Sequence, residues 1–188
     1  MPDGSRMTPP MSSALVTVPN IITFARLCAV PMAVYLVLHR DFMPAFWLFL
    51  AAGISDGIDG WLARRNGPSY VGALLDPVAD KALLVGMFIM LAVVRVLPDW
   101  LAIMVVFRDV IIVGGVLVLY LLGQPPAIRP LWISKLNTVL QILLVAVALL
   151  LMGLGREENW LLTGMIWLVA ASTFASGAAY IAKVVRSA

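Results

Sequence analysis

Apolar residues run through this chain in six stretches, each close to the about 20 residues that an α-helix needs to cross the hydrocarbon layer of a bilayer. They cover residues 19–38, 43–65, 72–95, 100–122, 131–153 and 160–183. Short breaks that combine charge, glycine and proline separate them: HRDFMP, RRNGPS, RVLPD, GQPPAIRP and GREEN. The pattern predicts an all-α integral membrane protein of six transmembrane helices, forming one domain over residues 19–188. Residues 1–18, with Pro9 and Pro10 ahead of Ser12 and Ser13, predict a flexible N-terminus with a short surface helix over 11–17. They lack a charged segment followed by an apolar one, so a cleavable signal is not expected. No break is long enough to hold a soluble domain.

Composition agrees with this picture. The chain is 62% hydrophobic and 12% charged, whereas soluble domains carry about 25% charged residues. The net charge is only +3 and no basic run suits nucleic acid, so no nucleic-acid partner is expected. Cys28 is the single cysteine, which leaves neither an intrachain disulfide nor a cysteine-rich metal site. His39, the single histidine, stands beside Arg40 and Asp41 at a predicted helix end and reads as an interfacial residue.

Six spans put both termini on one side. That side holds Arg6, Arg64, Arg65, Arg129, Lys183 and Arg186, and the other holds Arg40, Arg95 and Arg156. The positive-inside rule then places both termini in the cytoplasm, with a bacterial inner membrane as the expected location.

Charge inside the spans is concentrated in one place. Residues 56–80 read DGIDGWLARRNGPSYVGALLDPVAD and contain Asp56, Asp59, Asp76 and Asp80. The first two are i, i+3 near the inner end of the second span, and the others i, i+4 near the inner start of the third, so each pair shares a helical face. Four carboxylates brought together without a cation would repel one another and some would protonate. Divalent ions remove that conflict. A set of oxygen ligands without histidine or cysteine favours Mg2+, Mn2+ or Ca2+ over zinc, and four carboxylates suffice to bridge two ions for phosphoryl chemistry. Gly60, Ala63 and Gly72 leave room for a bulky ligand beside the helices, and Arg64 offers a fixed cation to phosphate oxygens. Taken singly, a membrane aspartate can pair helices, a glycine can serve close packing and Arg64-Arg65 can anchor the cytoplasmic face. A divalent-cation carrier is the rival reading of the carboxylates. It needs a polar path through the outer halves of the second and third spans, where FWLFLAA and VGMFIMLAVV provide none.

The stretch resembles the signature of the CDP-alcohol phosphatidyltransferase family, D-x2-D-G-x2-A-R-x8-G-x3-D-x3-D, with Asp56, Asp59-Gly60, Ala63-Arg64, Gly72, Asp76 and Asp80 at its positions. Seven residues rather than eight separate Arg64 from Gly72, which shortens the turn and keeps the aspartates in register. The resemblance implies a polar cavity open to the cytoplasm and two divalent cations, Mg2+ or Mn2+, held by Asp56, Asp59, Asp76 and Asp80. Asp80 is also implied as the general base. It further implies that Gly60, Ala63, Arg64 and Gly72 line the site of a CDP-linked lipid, and that the protein is a homodimer in the membrane.

The acceptor is read from other spans. The start of the first span, VPNIITFAR, resembles the P-N-x-x-T-x-x-R pattern of the anionic-lipid branch, making Asn20 and Thr23 candidates on the CDP-lipid side and Arg26 on the acceptor side. Either of the first two could instead be a helix cap or an interhelical hydrogen bond. Arg108-Asp109 resembles the pair found in cardiolipin synthases and phosphatidylglycerophosphate synthases alike, and can also be a mutual ion pair without a chemical role. PLWISKLNTVLQ resembles the P-x3-S-K-x-N-T-x2-Q pattern of the eukaryotic-type cardiolipin synthases, where phosphatidylglycerophosphate synthases more often show G-K-x-K-T-x2-Q. Asn137 in place of a second lysine suits an acceptor with one phosphate charge. The expected acceptor residues are Arg26, Lys81, Arg108, Lys135 and Asn137, with Ser134 and Gln141 as weaker candidates. The expected reaction is phosphatidyl transfer from CDP-diacylglycerol to phosphatidylglycerol, and the alternative acceptor is glycerol 3-phosphate.

Overall fold

A computed structural model describes residues 18–66, 70–121, 132–156 and 160–187, with side chains described within 25–55, 81–115, 132–156 and 160–182. The expected surface helix over 11–17 and the turn at Gly67-Pro68 lie outside the described residues.

The described residues form six helices: α1 (Val18–Leu38), α2 (Phe42–Asn66), α3 (Tyr70–Val93), α4 (Asp99–Leu121), α5 (Trp132–Gly153) and α6 (Trp160–Ser187). Most ends fall within a residue or two of the apolar stretches. The largest difference is α6, which continues to Ser187 because nothing after Lys183 is a proline or glycine. Two helices, Trp132–Gly153 and Trp160–Ala182, are long and apolar enough to cross a membrane by themselves, and Ala25–Leu38, Phe42–Ser55 and Lys81–Val93 are shorter apolar runs among the described residues.

The ends of α1, α3 and α5 share one device. Arg40, Arg95 and Gly155 take positive φ of 61°, 65° and 69°. The next amide reaches back to the helix in each case: Asp41 N–H to Leu36, Val96 N–H to Leu91 and Arg156 N–H to Leu151, all at 2.9 Å. This left-handed cap satisfies carbonyls that would otherwise be orphaned where the chain leaves the helix. It also explains why α3 stops at Val93, two residues before the end of the apolar stretch.

Near that end, α5 comes against the start of α2. A Cβ added at Gly153 would lie 3.1 Å from the Met43 backbone nitrogen and 3.2 Å from its Cα. Backbone cannot yield as a flexible side chain can, so Gly153→Ala should destabilise the fold by about 1–3 kcal/mol. An unfolding midpoint in detergent equal to that of the parent would contradict this packing.

The core is made by one face of every helix. Ala33 and Val37 of α1 join Ala45 and Phe49 of α2, Met87, Phe88 and Leu91 of α3, Leu101 and Val105 of α4, Leu144, Ala148 and Leu149 of α5 and Val169 of α6. The exterior is apolar too, with Trp132 85% and Trp160 86% exposed and Ile103, Phe107 and Phe174 outward. The polar side chains Arg26, Arg108, Asp109, Asn137, Gln141, Thr173 and Ser176 are buried instead. A soluble monomer rarely exposes apolar surface on this scale.

Candidate active site

Asp56 and Asp59 belong to the second half of α2, and Asp76 and Asp80 to the first half of α3. Both helices run unbroken through these positions, so the i, i+3 and i, i+4 spacings are real helical spacings. The side chains of all four lie outside the described ones, as do those of Asn20, Thr23, Gly60, Ala63, Arg64 and Gly72. As a donor set, four carboxylates fit a hard divalent cation.

The described polar centre begins one residue after Asp80. Lys81 of α3 donates from Nζ to Asp109 Oδ2 at 2.5 Å. The other carboxylate oxygen, Oδ1, accepts from Arg108 Nη1 at 2.8 Å. Arg108 Nη2 then donates to Ser134 Oγ at 2.6 Å and to Ser176 Oγ. One connected network therefore ties α3, α4, α5 and α6 together. Adjacent helical positions point about 100° apart, so Asp109 can meet α3 while Arg108 meets α5 and α6. Both are nearly fully buried, at 7% and 6% exposure. An unpaired buried charge would cost several kcal/mol, and this pairing is what makes the burial tolerable.

A second, neutral group lies deeper along the seam between α5 and α6. Asn137 Oδ1 accepts from Ser172 Oγ at 2.7 Å and from Thr173 Oγ1 at 2.9 Å. Gln141 Nε2 reaches Thr173 Oγ1 at 3.5 Å. Ser134, Asn137 and Gln141 recur on one face of α5, and Ser172, Thr173 and Ser176 face them from α6. Within these two groups, the buried atoms Arg108 Nε, Asn137 Nδ2 and Gln141 Oε1 have no hydrogen-bond partner among the described residues.

Of the five expected acceptor residues, Lys81 and Arg108 are joined through Asp109. Asn137 lies in the neighbouring seam, and Arg26 is buried on α1. Lys135 is placed differently: it is exposed, with Nζ 5.4 Å from the centroid of the Trp132 ring. Arg108 and Asp109 do form the mutual ion pair that their adjacency allows, but Lys81 makes it a triad. Ser172, Thr173 and Ser176 are not among the candidates drawn from the sequence, yet here they are hydrogen-bonding partners of Asn137 and Arg108. Their signal was present: hydroxyls at helical spacing within an apolar span, facing a second polar stripe of the same depth.

A groove of about 750 Å³ runs between α3 and α4, lined by Ile89, Val93, Ile103, Phe107 and Val110, with Arg95 and Asp99 at its edge. It is apolar and near the capped end of α3, so it is not the polar cavity expected beside the aspartates.

A family model described as CDP-alcohol phosphatidyltransferase matches residues 16–176. The chain is 33% identical over 187 residues to the cardiolipin synthase (CMP-forming) / mitochondrial hydrolase fusion protein of Schizosaccharomyces pombe, covering 91% of this chain and 31% of that one. It is 35% identical over 181 residues to the chloroplastic CDP-diacylglycerol–glycerol-3-phosphate 3-phosphatidyltransferase 1 of Oryza sativa subsp. japonica, covering 86% and 55%. To the cardiolipin synthase (CMP-forming) of Rattus norvegicus it is 33% identical over 150 residues, covering 71% and 50%. The chain thus spans between about a third and a little over half of the length of these relatives.

Proposed function

Because the chain belongs to the CDP-alcohol phosphatidyltransferase family, we propose that it moves a phosphatidyl group from CDP-diacylglycerol to a hydroxyl of phosphatidylglycerol, giving cardiolipin and CMP. The acceptor oxygen bonds to the phosphorus nearer the diacylglycerol, the bond from that phosphorus to the CMP oxygen breaks, and the acceptor proton passes to Asp80. Asp56, Asp59, Asp76 and Asp80 would hold two divalent cations, Mg2+ or Mn2+, which when bound neutralise phosphate charge. Asn20, Thr23, Gly60, Ala63, Arg64 and Gly72 would line the CDP-lipid side.

The observation that carries the acceptor assignment is the triad beside Asp80. Lys81 and Arg108 carry two positive charges and Asp109 removes one, leaving the triad itself at net +1. That balance suits the single charge of a phosphodiester headgroup better than the nearly double charge of glycerol 3-phosphate. Asn137, neutral and bonded to α6 through its carbonyl, adds no cation. One observation favours glycerol 3-phosphate as the second reading: the 35% identity to the rice protein, whose name contains that acceptor. A cation carrier has no support: Phe49 of α2 and Phe88 and Leu91 of α3 belong to the buried apolar core, and FWLFLAA and VGMFIMLAVV offer no polar path.

Six membrane spans, with the triad toward the cytoplasmic face, complete the reading. Its support is the inverted burial pattern, apolar outside and ionic inside. The arginine distribution supports termini in the cytoplasm of a bacterial inner membrane, and pairing with a second copy follows from the family resemblance.

Purified protein with CDP-diacylglycerol and Mg2+ or Mn2+ is expected to release CMP on addition of phosphatidylglycerol. Release with glycerol 3-phosphate alone would move the assignment to the second reading.

A further inference from the structure

We infer that Asp109 is a positioning residue that holds the Lys81 ammonium where it receives the acceptor's phosphate. The inference rests on the phosphatidyl-transfer reading above and deepens it. The contacts form a directed chain. Ser134 and Ser176 anchor one end of the Arg108 guanidinium, Arg108 Nη1 fixes one oxygen of Asp109, and the other oxygen fixes Lys81. Arg108 has serine anchors independent of Asp109. Lys81 does not: Asp109 is its partner among the described residues.

The two ends of the chain differ in access. The Lys81 side chain is 39% exposed while that of Asp109 is 9% exposed. An ammonium has three N–H donors and Asp109 accepts one of them. The others have no acceptor among the described residues and are open to a ligand beside the helical turn that carries Asp80. A lysine stem has four rotatable bonds, and holding its ammonium in one place before the ligand arrives lowers the entropy lost on binding. Asp109 also keeps Lys81 and Arg108 from repelling one another across α3 and α4. The sequence pairs Asp109 with Arg108 by adjacency alone, and only the fold brings Lys81, 28 residues earlier, to its second oxygen.

The test measures CMP release by Asp109→Asn, Lys81→Met and the double variant while each lipid is varied in turn. Asp109→Asn should raise the KM for phosphatidylglycerol about tenfold and leave the KM for CDP-diacylglycerol within about twofold. Because Asp109 acts through Lys81, the double variant should lie within about threefold of Lys81→Met alone. Additive effects, or an equal rise in both KM values, would overturn the inference. Should Asp109→Asn fail to fold, Ser134→Ala combined with Ser176→Ala loosens the same chain while every charge remains. That pair should raise the acceptor KM selectively, and an unchanged value overturns the inference. A parent protein that releases CMP with glycerol 3-phosphate but not phosphatidylglycerol defeats the acceptor reading while leaving the Lys81 test readable with the new acceptor. Release with neither defeats both.

Discussion

Asp80→Asn should abolish CMP release. Asparagine keeps the size of the side chain and its place on α3 but cannot take the acceptor proton, and it removes one negative charge from a four-carboxylate donor set. General-base catalysis contributes about 10²–10⁴-fold in rate, so turnover should fall by at least about 10²-fold. The α3 helix runs unbroken from Tyr70 to Val93 through this position, and the substitution is not expected to disturb it. The unfolding midpoint in detergent should therefore stay near that of the parent. A variant that keeps half of its rate would remove Asp80 from the role of base. The prediction is drawn from the aspartate spacing and the family signature.

Arg108→Met should be the most damaging change to stability. Methionine matches much of the arginine's length but leaves Asp109 Oδ1 without its cation and both serine hydroxyls without their donor. Removing one partner of a buried ion pair costs about 3–5 kcal/mol, largely the desolvation of the charge left behind. Lys81 still compensates Asp109, so about 3 kcal/mol is expected. Arg108→Lys should recover little, because a single ammonium cannot span Asp109, Ser134 and Ser176 as the planar fork does. Asp99→Asn is the matched control. It breaks the 2.8 Å pair with Arg95, whose side chains are 79% and 56% exposed, and exposed pairs contribute about 1 kcal/mol or less. Equal losses for the two substitutions would mean that burial of the Arg108 pair has no energetic weight.

These two expectations come from different sources, and the difference runs through the whole protein. The expectation for Asp80 needs no coordinates, because spacing along a helix is local: Asp56 and Asp59, and Asp76 and Asp80, are related by helical turns. Helix number and position were legible for a similar reason. A bilayer-length apolar run bounded by charge, glycine and proline has few other ways to satisfy its backbone. The errors at the ends are instructive. Arg95 adopts the left-handed conformation and terminates α3 early, a choice that residue type alone disfavours, since glycine is the usual occupant of that position. At Gly155 the same cap was readable from the residue.

The amino-acid sequence by itself determined the order of the helices, the helical face that each pair of aspartates shares and the family signature they complete, because each depends on periodicity within one or two neighbouring segments. Only the tertiary structure decided that Asp109 joins Lys81 to Arg108, that Arg108 is anchored on serines 26 and 68 residues away, and that Lys135 lies against Trp132 rather than in the triad. Helical periodicity tells which residues share a face and says nothing of which other helix that face will meet. That pairing follows from how six apolar surfaces fill space together, and the buried charges take whatever partners the packing brings within reach.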